Sequence, residues 1–118
     1  MLSLPASIRI FLCLEVADMR RGFDGLASMV AEIVGEDPLS GHLFVFRNRR
    51  QDRLKILYWD RDGFALWYKR LEKGSFKFPA VVSDRSCRVE INASDLMMLL
   101  DGVDVLSVRR ERRYARVS

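Results

Sequence analysis

The sequence is poor in the residues that do most site chemistry. It has two cysteines, Cys13 and Cys87, one histidine, His42, and three prolines in 118 residues. So few cysteines exclude a disulfide scaffold, and with a single histidine they exclude a Cys/His four-ligand zinc site. Both cysteines stand in apolar or strand-like runs and read as small buried hydrophobes in a reducing compartment. No apolar run approaches the roughly 18 residues of a membrane span. The segment Met1 to Leu14 is interrupted by Pro5 and Arg9 and reads as a poor signal peptide. A Walker loop, a Rossmann glycine pattern, a nucleophile elbow and a zinc-helix signature are all missing. These absences lead to an expectation of a cytoplasmic protein with no cofactor and no catalytic activity.

What is present suits a folded domain. The chain is 49% hydrophobic and 10% aromatic, too apolar for a disordered protein. A chain of this length buries roughly two-thirds of the surface that its unfolded form exposes, enough for one core and too little for two. Charge is unevenly spread. The net charge is +4, but Arg47 to Lys55 alone carries +4, and so does Arg109 to Arg116. The rest of the chain therefore sums to −4. A slightly acidic body with two concentrated basic segments suits a polyanion binder, and ordinary solvated surfaces also show it.

Periodicity places the elements. Residues 8–14 form an apolar run of strand length. Leu26, Met29, Val30, Ile33 and Val34 recur at helical spacing, with Asp24 ahead as a candidate N-cap and Gly35 behind as a stop. Strands are predicted at Leu43 to Phe46, Leu54 to Trp59 and Phe64 to Tyr68, a three-stranded meander over 42–70. Asn48-Arg49-Arg50-Gln51-Asp52 is its first loop, and Asp60-Arg61-Asp62-Gly63 its second, with Gly63 supplying the positive φ. Phe76 to Val82, containing Pro79, suits an edge strand. Residues 87–91 suit another strand, and Ser94 can cap a short helix carrying Leu96, Leu99 and Leu100 that ends near Gly102.

Few constellations carry chemistry. Asp60 and Asp62 could coordinate magnesium, as in a small metal-dependent nuclease, but a hairpin turn needs the same residues. His42 sits at the lip of a strand, where a structural role accounts for it. The basic loop is the strongest signal, because arginine offers phosphate a rigid fork of donors. Trp59, Trp67 and Tyr68 could stack bases, although Phe64, Leu66 and Tyr68 share one face and suit a core. A solvated turn accounts for the loop equally well, and the arginine-rich tail 107–118 has the same two readings.

Three strings then carry a family resemblance. They are Asp18-Met19-Arg20-Arg21-Gly22-Phe23-Asp24-Gly25-Leu26, Gly41-His42-Leu43-Phe44-Val45-Phe46-Arg47-Asn48-Arg49-Arg50, and Lys55-Ile56-Leu57-Tyr58-Trp59-Asp60-Arg61-Asp62-Gly63-Phe64 with its continuation to Gly74. Together they resemble the small accessory protein, TnpB or Orf2, of the IS Sixty-Six (IS66) type of bacterial insertion sequences. The resemblance covers about residues 4–79, and Leu96 to Gly102 is similar to the family's short leucine-rich helix. It implies a protein encoded beside a separate, larger transposase and needed for efficient transposition, with no activity of its own. Motif and charge coincide at Arg47, Arg49, Arg50, Lys69 and Arg70, while Arg20 and Arg21 precede a helix where positive charge is poorly placed.

The resulting expectation is a small single α+β domain over 1–106 with a basic C-terminal tail over 107–118. Its antiparallel sheet has about five strands, flanked by one longer and one short helix. The expected function is non-catalytic assistance to DNA transposition by binding DNA, the transposase, or both. The expected nucleic-acid-binding residues are Arg47, Arg49, Arg50, Arg53, Lys55, Lys69 and Arg70. A protein–protein adaptor without DNA contact is the alternative.

Overall fold

The computed structural model describes residues 5, 7–78 and 87–102. Its strands are β1 (Ile10–Cys13), β2 (Leu43–Arg47), β3 (Arg53–Asp60), β4 (Gly63–Arg70) and β5 (Arg88–Ile91). Helix α1 (Phe23–Met29) runs into a π-helical segment, Val30–Val34, and α2 spans Ala93–Leu100. One sheet holds all five strands in the order β4-β3-β2-β1-β5. A small α+β domain is the result.

The sheet is mixed, not purely antiparallel as the sequence suggested. β1 and β2 run parallel, with Ile10 opposite Leu43 and Leu12 opposite Val45, because α1 carries the chain back across one face between them. The other pairs are antiparallel, and β2, β3 and β4 form the expected meander. α1 covers one face, where Phe11, Cys13, Phe44, Phe46 and Leu57 meet Leu26, Met29 and Val30. α2 covers the other, where Ile10, Leu12, Leu43, Val45 and Ile56 meet Leu96, Leu99 and Leu100. Buried on both faces, β1 and the start of β2 read as continuous apolar runs instead of alternating ones.

Local chemistry differs from the sequence expectations at four points. Gly22, not Asp24, is the N-cap of α1, and Asp24 lies in the first turn beside the positive end of the helix dipole. Asn92, not Ser94, caps α2: its side chain accepts from the Asp95 amide at 2.7 Å while Asp95 answers back, a capping box. The β3–β4 turn has only two residues, and Arg61 rather than Gly63 takes the left-handed conformation, at φ 55°. Cys13 is buried as expected, but Cys87 is exposed. Gly35 does end the first helix, at φ 75°, with its N–H donating to the Val30 carbonyl at 2.9 Å. Phe76 to Phe78 is irregular, and the remainder of the predicted strand to Val82 lies outside the described residues. No helix among the described residues is long and apolar enough to cross a membrane.

Candidate nucleic-acid interface

The basic loop between β2 and β3 is built, not loose. Asn48 donates through Nδ2 to Asp52 at 2.6 Å and accepts through Oδ1 from the Arg53 amide at 3.0 Å. Gln51 turns the chain in the left-handed region at φ 59°. From outside, the Leu71 amide donates to Asp52 O at 2.8 Å and the Phe76 amide to Gln51 O at 2.6 Å. The inward positions are thus spent on hydrogen bonds, and Arg49 and Arg50 are left exposed at the tip. Neither forms an ion pair with a described residue.

The segment Val16 to Arg20 faces this loop. Ala17 donates its amide to Arg47 O at 2.9 Å, which ties the segment to β2. Lys55 ties it to β3, donating through Nζ to Met19 O at 2.7 Å and Arg21 O at 2.9 Å. Between the two walls runs an open groove of about 710 Å³, lined by Asp18, Arg20, Arg49, Arg50, Asp52 and Arg53 among others. Four arginines against two aspartates leave it net positive. The Asp18 carboxylate pairs with Arg20 at 2.7 Å, and that hydrogen bond holds its pKa down at about 2. Asn48 similarly lowers the pKa of Asp52. Both acids are therefore ionised at neutral pH and offset part of the arginine charge. Arg53 also lines a neighbouring hollow of about 350 Å³ with Tyr68, Arg70 and Glu72.

The expected site residues divide. Arg49, Arg50 and Arg53 share the groove, and Arg70 borders the adjoining hollow, paired with Glu72 at 3.0 Å. Lys69 lies on the opposite face of β4 and donates to Leu100 O at 3.4 Å. Arg47 and Lys55 are turned inward. Arg47 donates to Leu14 O at 2.7 Å, and its guanidinium lies 5.3 Å from the centre of the Phe78 ring. Lys55 is only 6% exposed. Their charged ends are spent on the protein's own backbone, so neither belongs to the exposed basic surface.

Two residues join the surface from positions that the sequence undervalued. Arg20, a weak candidate, forms part of the opposite wall with its side chain 91% exposed. Tyr68, read as core, is 47% exposed. Elsewhere the chemistry is structural. His42 accepts the Arg9 amide on Nδ1 at 3.0 Å and meets Phe11 edge-on, which fastens the start of the parallel pair. Burial pushes the Cys13 thiol up to about 11, so it is protonated at neutral pH and a poor nucleophile. Asp60 ends β3 and Asp62 is the second residue of the turn, and both are exposed. Among the described residues no group of three or more His, Cys, Asp or Glu side chains could hold a metal ion. The arginines of 107–118 lie outside the described residues.

Comparison with known proteins adds to this geometry. The family model of IS66 Orf2-like proteins matches residues 8–110. The chain belongs to the IS66 Orf2-like family. The family match continues past residue 79, where the continuous resemblance ends, through Leu96 to Gly102 and into the basic tail. Two uncharacterized proteins of Sinorhizobium fredii (strain NBRC 101917 / NGR234) are similar to it. One, y4jC, is 36% identical over 104 residues, covering 88% of this chain and 86% of the relative. The other, y4hO, is 38% identical over 104 residues, covering 88% of each chain. No solved structure matches. IS66 Orf2-like proteins are accessory proteins of IS66 insertion elements, so the chain is a transposition-associated protein.

Proposed function

We propose that this IS66 Orf2-like protein is a non-catalytic accessory factor that contacts DNA phosphates while serving the element's transposase. The observation that carries the reading is the groove, where Arg49, Arg50 and Arg53 on a hydrogen-bonded loop face Arg20 on the opposite wall. The loop backbone that carries these arginines is fixed by hydrogen bonds, so it need not be ordered on meeting phosphate, and each guanidinium–phosphate contact releases condensed counterions. An adaptor role without DNA also has one feature in its favour: Asp18 and Asp52 stand among the arginines, a mixed-charge surface suited to a protein partner.

The test is binding to element-end and random DNA across a salt series, with and without transposase. Four phosphate contacts on duplex DNA give a log–log slope of about −3.6, and the double substitution Arg49→Ala with Arg50→Ala flattens it by about 1.8. Unchanged DNA affinity and slope, with loosened transposase association, would sink the DNA reading and leave the adaptor.

A further inference from the structure

We infer that Tyr68 is a stacking platform for an unpaired base, so that the basic rim takes single-stranded DNA in preference to duplex. The inference rests on the reading that the groove arginines meet phosphates. Tyr68 is a large aromatic with 47% of its surface exposed, on a strand whose other aromatics are packed. On the same face of β4, Phe64 and Leu66 pack against the α1 cluster, and on the opposite face Trp67 packs against the α2 cluster. Tyr68 belongs to neither cluster among the described residues.

Its setting is specific. Arg53 and Arg70 are directly opposite each other in the β3–β4 register, and Tyr68, two residues before Arg70, shares their face of the sheet. The Tyr68 hydroxyl accepts from Arg53 Nη1 at 3.3 Å. From the interior, Lys55 Nζ lies 4.7 Å from the ring centre. The hydroxyl is therefore held and one side of the ring is met by Lys55, while the residue stays half exposed and lines the hollow beside the groove. Arg53 lines both concavities, so a strand with phosphates on Arg49, Arg50 and Arg53 runs on to the ring.

Base geometry decides the ligand. In a duplex each base has both faces covered by its neighbours and presents only its edges in the grooves. A flat ring framed by arginines finds a free face only on an unstacked base, the arrangement by which single-strand binders combine backbone charge with stacking. The ring is also held before binding, so little side-chain freedom is lost when a base settles on it.

The experiment is fluorescence anisotropy of the full chain with a labelled mixed-sequence strand of about 20 nucleotides, and with its duplex. The wild type is expected to bind the strand more tightly. Tyr68→Ala lowers strand affinity between about fivefold and a hundredfold and leaves duplex affinity nearly unchanged. Tyr68→Phe, which keeps the ring, retains most of the strand affinity. If Tyr68→Ala melts the fold, Tyr68→Leu carries the same comparison with the apolar bulk preserved. Equal wild-type affinity for strand and duplex overturns the inference, as does a substitution that weakens both forms alike or a Phe variant as weak as Ala. If Arg49→Ala with Arg50→Ala weakens both DNA forms while the Tyr68 variants weaken neither, stacking falls and the phosphate reading stands. Absence of DNA binding in the wild type removes both.

Discussion

Arg47 and Lys55 flank the loop that carries Arg49 and Arg50, yet the two pairs of cations do opposite work. Arg47 closes β2 on the α2 side of the sheet, and Lys55 enters β3 on the α1 side, opposite Phe46. Each lies on a strand face that is covered, so the aliphatic stem is buried and the charged end must find an acceptor inside. Leu14 O serves Arg47, while Met19 O and Arg21 O serve Lys55. Arg49 and Arg50 are on neither strand, and the turn that holds their backbone turns their side chains outward. A segment charge of +4 therefore overstates the charge available to a ligand. The strand period had already sorted these cations, since a residue in register with Phe46 shares its face.

The inward pair gives the largest predicted effects. Lys55→Met preserves the stem and removes the ammonium, leaving two carbonyls without their charged donor. The expected loss is about 3 kcal/mol, since hydrogen bonds to a charged group are worth ~1.5–3 kcal/mol each and the carbonyls are only partly shielded. For a domain of this size the melting temperature falls by on the order of 15 °C. Urea unfolding checks it, and a loss below about 1 kcal/mol would show that Lys55 does not fasten the 16–20 wall. Arg47→Met should cost less, about 1–2 kcal/mol. It surrenders the bond to Leu14 O and the Phe78 contact, but it also removes a buried Nε that has no partner among the described residues. A cost for Arg47→Met above that of Lys55→Met would reverse the ranking and the argument behind it.

Much of the fold was legible for the same physical reasons. Strand alternation and turn chemistry locate β2, β3 and β4 within a residue or two, and the 3-4 spacing of Leu26 to Val34 locates the first helix. The parallel pairing of β1 with β2 was not legible, because a strand buried on both faces looks the same in either direction. Asn92 was readable as a cap, since Asp95 follows at capping-box spacing, but Ser94 nearby competes for that role. The groove is another matter. It joins residues 16–20 to residues 48–53, and no local pattern announces a wall about thirty residues away in the chain. Tyr68 was misread because its alternation with Phe64 and Leu66 is real, yet the α1 cluster that buries those two does not include it.

The outward pair gives smaller effects on stability. Arg49→Ala with Arg50→Ala should shift unfolding by no more than about 0.5 kcal/mol, because neither side chain has a described partner to lose. Thermal melting decides this, and a large shift would make the loop tip structural. The smallest predicted effect belongs to Asp18. Its carboxyl, held at about 2 by Arg20, has a folded-state value below its ordinary 3.8. The pair's contribution is thus fully present above about pH 4 and is lost as pH falls toward about 2. NMR titration of the carboxyl checks that window, and a midpoint near the ordinary value would mean that the pair does not persist in solution. At neutral pH the same pair ties up one groove arginine. Asp18→Asn keeps an oxygen for the Arg20 amide, which Asp18 now accepts at 2.9 Å, but removes the charge that competes with phosphate. DNA affinity at low salt should rise by about twofold, the scale of one exposed ion pair, and the gain should fade as salt rises. A fall in affinity instead would mean that Asp18 positions Arg20 for its ligand rather than competing for it.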